Sequence, residues 1–167
     1  MAENRSEDIL KGALLLERRG KALYESVVQT TRVKELKDLF SFLRDEEIKH
    51  IEFLEKQFGR LSRGEEFDIE NLQKEYEQAA HEVLTETIVS QVSGAGYEAA
   101  VISAALELEK KAVTYYTQQV DAAGSIEQEN LYRWLSKWEK THMRMLAELD
   151  KELREKIWFD NQFWPLD

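Results

Sequence analysis

Cysteine is absent from the 167 residues, and proline occurs once, as Pro165. Without cysteine there is no disulfide framework, thiolate nucleophile, iron–sulfur cluster or Cys-ligated zinc or iron. Glycine is scarce, with 7 residues, so both strong helix breakers are nearly missing and long uninterrupted helices are expected. No apolar run approaches the roughly 20 residues of a membrane-spanning helix, which argues against a membrane partner. The segment Met1 to Lys11 is charged and lacks an apolar stretch. It does not read as a secretory signal, and a cytoplasmic location is the default expectation. Basic residues are also in the minority: 23 Lys and Arg against 33 Asp and Glu leave a net charge of -10. Such a surface repels nucleic-acid phosphates and tolerates cations.

What is present is helical patterning. Apolar residues recur at helical spacing over 6–30 (Leu10, Ala13, Leu14, Tyr24, Val27, Val28) and over 33–60 (Leu36, Leu39, Phe40, Leu43, Ile51, Leu54, Phe58). Two more helices are expected over 97–123 and over 125–156. The second of these opens on a capping box, Ser125 with Gln128. Between the pairs, 68–92 is polar and weakly amphipathic, with Asp68 as a candidate N-cap, and reads as a crossover. The expected fold class is an all-α four-helix bundle in one domain over 1–156, followed by a short aromatic tail over 157–167.

The two helix pairs are copies. Ala13, Leu14, Leu16, Glu17, Tyr24, Val28, Leu39, Leu43, Glu47, His50 and Leu54 all recur identically 92 positions later. A duplicated helical hairpin and a pseudo-two-fold bundle follow. In this reading the first and third helices are parallel, as are the second and fourth. The link between the pairs travels the length of the bundle, and about thirty residues at 1.5 Å per helical residue are enough.

The duplicated polar residues carry the chemistry. Glu47-Ile48-Lys49-His50 and Glu139-Lys140-Thr141-His142 are both Glu-x-x-His, which places a carboxylate and an imidazole on one helix face. Each follows by 30 residues a glutamate on an apolar stripe, Glu17 or Glu109. Four carboxylates therefore point into the core with no Lys or Arg on those stripes to neutralise them. Burying each ion unpaired costs several kcal/mol. Two divalent cations would supply the missing charge. Carboxylates with one imidazole per ion favour iron or manganese over zinc. The expected metal ligands are Glu17, Glu47, His50, Glu109, Glu139 and His142.

The strings Leu16-Glu17…Tyr24, Glu47…His50, Leu108-Glu109…Tyr116 and Glu139…His142 resemble the ligand pattern of the rubrerythrin branch of ferritin-like proteins. The likeness covers nearly all of 6–156. It implies a ferritin-like bundle holding two iron ions, with Glu17 and Glu109 as terminal ligands and Glu47 and Glu139 as bridges. It further implies a non-haem diiron oxidoreductase reacting with hydrogen peroxide or O2, of peroxidase or ferroxidase type, with an external electron donor. Members of this superfamily often pair along helices, so a homodimer is expected. Two departures stand out. Rubrerythrins usually carry a further glutamate three residues past the third-helix ligand, where this chain has Ala112, and a Cys-ligated rubredoxin domain, which it cannot form. The alternative is an iron-binding or interaction protein of the same fold with little or no turnover.

Other residues weigh less. Tyr24 and Tyr116 stand two turns from Glu17 and Glu109, where a hydroxyl bonded to a ligand carboxylate would orient it; they join Glu47 and Glu139 as candidate catalytic residues. Trp134 and Trp138 read first as core mass and second as an electron relay. His81, without a Glu-x-x-His partner, reads as solvated. Trp158, Phe159, Phe163 and Trp164 are expected to dock on the bundle or on a second subunit, and Asp160 and Asp167 argue against membrane attachment.

Overall fold

The computed structural model describes residues 2–68, 85–92 and 96–160. Four long helices carry the chain: α1 (Ala2–Thr30), α2 (Lys34–Leu61), α4 (Tyr97–Asp121) and α5 (Ile126–Asp160), with a short α3 (Thr85–Gln91) between the pairs. All described elements are helical, as the shortage of glycine and proline implies.

Helix boundaries follow local chemistry. α1 stops at Thr30, whose hydroxyl turns back onto the Ser26 carbonyl at 2.7 Å. The Thr31 hydroxyl then receives the Val33 N–H at 3.2 Å and turns the chain into α2. α2 ends where the Ser62 hydroxyl bonds the Phe58 carbonyl at 2.7 Å and Gly64 takes a left-handed φ of 71°. The capping box of α5 forms: the Gln128 N–H donates to the Ser125 hydroxyl at 3.3 Å. The Gln128 amide reaches back to the Gly124 N–H at 2.9 Å, one residue earlier than expected. α5 also runs through Asp160, a turn beyond the expected end near 156, so Trp158 belongs to the helix and is half exposed. Asp68 lies just before undescribed residues; its N–H donates to the buried Gln57 side chain at 2.9 Å, and Gln57 donates to the Asp68 carbonyl. His81, Phe163 and Trp164 lie outside the described residues.

Helix directions correct one expectation. Arg18 pairs with Glu55 at 2.8 Å and Arg44 with Glu25 at 3.2 Å, so α1 and α2 are antiparallel, as a hairpin requires. Between α1 and α4, however, the Tyr115 hydroxyl donates to the Ile9 carbonyl and Thr30 meets Tyr97. The start of α1 thus lies against the end of α4, and these helices are antiparallel rather than parallel. α2 and α5 are antiparallel too, with Phe53 against Trp134 and Glu46 against Trp138. A two-fold axis perpendicular to the helices maps each onto a reversed copy, and this is the operator the duplication produced. α2 and α4 then run in the same direction, so the link between them must span the bundle.

Two apolar clusters fill the core, one toward each end. Tyr24, Leu36, Phe40, Leu43, Ile102 and Leu149 anchor the first. Leu10, Leu54, Leu131, Tyr132, Leu135 and Trp138 anchor the second. α3 contributes Ile88, with Val92 just beyond it, to the first cluster. The Lys156 ammonium caps this region by donating to the Val89 and Val92 carbonyls at 2.8 and 2.9 Å. Each fully buried Leu is worth about 1.5–3 kcal/mol of transfer free energy. Between the two clusters the core turns polar.

Candidate metal centre

All six expected ligands converge on that polar layer. Glu17, Glu47, Glu109, Glu139, His50 and His142 are each at most 2% exposed. Their ligand atoms form two overlapping groups, Glu17/Glu47/His50/Glu139 and Glu47/Glu109/Glu139/His142, and within each group all atoms lie within 4.8 Å of one another. Glu47 and Glu139 belong to both groups, whereas Glu17 and Glu109 belong to one each. That distribution is the one expected of two bridging and two terminal carboxylates. It arises because four antiparallel helices each present one carboxylate at the same height, and the third-residue spacing in α2 and α5 adds an imidazole beside each bridge.

The donor set fits two metal ions. His142 Nδ1 has carboxylate oxygens of Glu47, Glu109 and Glu139 each at 3.7 Å, and it has no hydrogen-bond partner. Two donors each roughly 2.1 Å from one ion stand roughly 3–4 Å apart. These separations are too long for hydrogen bonds and right for donors sharing an ion. His50 Nδ1 is drawn closer, at 2.8 Å from Glu17 and 2.9 Å from Glu139. The two imidazoles stack 5.6 Å apart across the pseudo-two-fold axis. No Lys or Arg among the described residues pairs with any of the six.

The electrostatics show how the centre remains neutral without metal. Burial pushes the Glu17 carboxyl up, but the charge and hydrogen bond of His50 outweigh it and hold the group at about 2. Glu109 is likewise lowered, against its burial, by His142. Glu47 and Glu139 move the other way. Burial, then the Glu17 charge, pushes Glu47 up to about 8, and the same two causes hold Glu139 well above the carboxylate range. Burial disfavours the imidazolium ions, yet Glu139 and Glu17 raise His50 well above its ordinary value, and Glu109 and Glu47 raise His142 to about 10. Two imidazolium cations thus balance two carboxylates, while Glu47 and Glu139 keep their protons. Metal binding must displace those protons.

The tyrosines bond ligand carboxylates, but across the dyad. The Tyr24 hydroxyl of α1 donates to Glu109 of α4, and the Tyr116 hydroxyl of α4 donates to Glu17 of α1. Each tyrosine bonds a candidate ligand carboxylate as expected, and the antiparallel packing of α1 on α4 makes that carboxylate the one on the facing helix. Burial first, then the neighbouring carboxylates, raises both phenols well above 10, so they stay protonated donors.

Three features escaped the sequence reading. Gly20 lies over a bridge: a Cβ there would stand 3.3 Å from the Glu47 carboxyl carbon. Its copy 92 residues on is Ala112, and both small residues line a cavity of about 10 Å³ beside Glu17, Glu47, Glu109 and Glu139. That space admits about one water. Glu46 is buried, at 2% exposed, and bonds Trp138. Its position one residue before a ligand and 92 residues before a tryptophan was the available signal.

The rubrerythrin family pattern matches residues 8–150, a span that includes both hairpins and all six ligand candidates. No curated protein and no solved structure matches the chain. With the ligand set, the duplication and the family match in agreement, the chain belongs to the rubrerythrin family.

Proposed function

We propose that this protein is a non-haem diiron oxidoreductase that reacts with hydrogen peroxide or O2, serving peroxide removal or iron handling. One observation carries the reading: two buried donor groups share Glu47 and Glu139, so two ions would sit side by side at one shared pair of carboxylates. Iron is favoured over zinc by the oxygen-rich donors, and manganese is the other metal this set accepts. Glu17 with His50 and Glu109 with His142 would complete the two positions. A pair of iron ions cycling between ferrous and ferric supplies the two electrons that peroxide reduction consumes.

The chain's own groups do the rest. Tyr24 and Tyr116 orient the terminal carboxylates from the opposite half of the bundle. Glu47 and Glu139, the groups that hold protons in the metal-free state, would be shared by both ions once deprotonated. Leu16, Leu108 and Ala112 help to wall a space with room for about one water-sized molecule beside the four carboxylates. The 167 residues offer no cysteine for a rubredoxin-type iron, and an external electron donor is part of the proposal. We further propose a cytoplasmic homodimer, consistent with the exposed Leu15, Ile126 and Trp158; none of the described helices is long and apolar enough to cross a membrane.

Anaerobic loading with ferrous iron, followed by peroxide or O2 in separate samples, tests the reading. A stoichiometric ferric absorption that forms faster with peroxide supports a peroxidase, and faster formation with O2 supports a ferroxidase. A chain that binds iron but forms no such band with either oxidant is a binding protein without turnover.

A further inference from the structure

The two halves of the centre differ in one place that the ligands do not explain. Trp138 and Glu46 occupy equivalent positions in the duplication, and they meet on the pseudo-dyad: the indole Nε1–H donates to Glu46 Oε2 at 3.2 Å. The other Glu46 oxygen accepts from the Lys49 ammonium at 2.6 Å, and Lys49 is mostly exposed. The Trp138 ring meets the edge of His50 at 4.0 Å between centroids. Trp134 follows at 4.6 Å from Trp138, with Phe53 at 4.8 Å beyond it. Trp138 is 1% exposed and Trp134 8%, so the series leads outward. Phe42, the copy of Trp134, stands 6.4 Å from His142, and the copy of Trp138 is Glu46. A continuous aromatic series with a buried carboxylate at its inner indole therefore adjoins the His50 position.

We propose that Trp138 is a one-electron relay for the His50 position, refilled from the surface through Trp134. This rests on the diiron reading above. Reduction of hydrogen peroxide to two waters breaks the O–O bond and takes two electrons and two protons. When the centre has only one electron to give, Trp138 supplies the second past His50, and solvent supplies the protons. The indole becomes a radical cation whose Nε1 proton stays in the hydrogen bond to Glu46. The buried carboxylate stabilises that positive charge. Trp134 then passes one electron to Trp138 and is itself refilled by an external one-electron reductant. Electrons balance at every transfer, and the ligands and Tyr24 and Tyr116 are spared oxidation.

Two arms test the relay. In the first, metal-free protein carrying Trp158→Phe and Trp164→Phe is exposed to flash-generated ruthenium(III) tris-bipyridine. A tryptophan radical should form, lose yield several-fold on Trp138→Phe, and form more slowly on Trp134→Phe. Glu46→Gln, which keeps an acceptor but removes the charge, should shorten its lifetime. In the second arm, iron-loaded protein receives excess peroxide with no reductant. A frozen-state radical that narrows on indole deuteration is expected, with loss of that signal and new oxidation of Tyr24 or Tyr116 in Trp138→Phe at equal iron content. Radical yield unchanged by Trp138→Phe in the first arm overturns the relay. So does a tyrosine radical in place of an indole radical in iron-loaded wild type. Failure to load iron instead counts against the diiron reading, and the first arm then decides the relay by itself.

Discussion

The His50 half and the His142 half of the centre have the same ligands and different surroundings. On one side the imidazole is held at 2.8–2.9 Å from Glu17 and Glu139 and touches an indole. On the other, three carboxylates stand off at 3.7 Å and Phe42 stands at 6.4 Å. Duplication preserved the six candidate ligands, and divergence acted on the residues around them. Symmetry in the ligand shell can therefore coexist with two inequivalent metal positions.

The largest effect is expected where the halves are joined. Glu47→Ala or Glu139→Ala removes a carboxylate shared by both donor groups, so both ions should be lost together. Metal analysis after reconstitution checks this; retention of one ion would show that the carboxylate is not shared. Removing one imidazole should separate the halves. His50→Ala and His142→Ala should each keep one ion, with different electronic spectra for the two singly occupied proteins. Identical spectra would erase the proposed inequivalence.

The apolar frame should behave more symmetrically than the centre. Leu43 and Leu135 are equivalent and both 0% exposed, so truncating either to Ala should cost about 2–5 kcal/mol. Urea unfolding of the two variants compares them, and a large difference would reveal unequal packing of the hairpins. Smaller again is the effect of the crossed tyrosines. Tyr24→Phe and Tyr116→Phe each remove a donor to one terminal carboxylate and should weaken binding at that position by roughly 10- to 100-fold. Because the bonds cross the dyad, Tyr24→Phe should disturb the His142 position and Tyr116→Phe the His50 position. The reverse assignment would contradict the antiparallel packing of α1 on α4.

Acidity gives a further way to probe both halves together. In the metal-free centre Glu47 holds its proton up to about 8 and His142 up to about 10. Both must deprotonate to bind metal, so a falling pH favours the competing proton and weakens the metal. Affinity should rise as the pH climbs through these values and level off above them. Titration in buffers of different ionisation enthalpy measures the protons released, and no release at neutral pH would refute the protonated bridges.

Much of this was legible in the sequence because burial and periodicity are local signals. Glu17 on an apolar stripe and His50 three residues after Glu47 needed only helix geometry to be placed. Helix direction was not legible in the same way. An offset of 92 states that two hairpins are alike but not whether the axis relating them lies along the helices or across them, and only contacts such as Tyr115 with Ile9 decide that. The crossed tyrosines and the Glu46–Trp138 pair depend on that choice of axis, so they could not be read before it. Gly20 escaped for another reason: its role is the space it leaves above Glu47, and an absent side chain gives no pattern.

In the proposed centre two ions share one buried pair of carboxylates drawn from the two hairpins. Anaerobic titration with ferrous iron, read by native mass spectrometry on wild type and Glu47→Ala side by side, tests it most directly. Two ions per chain are expected in wild type, one for each donor group, and none in the variant. Fewer than one ion in wild type, or two in Glu47→Ala, would contradict it.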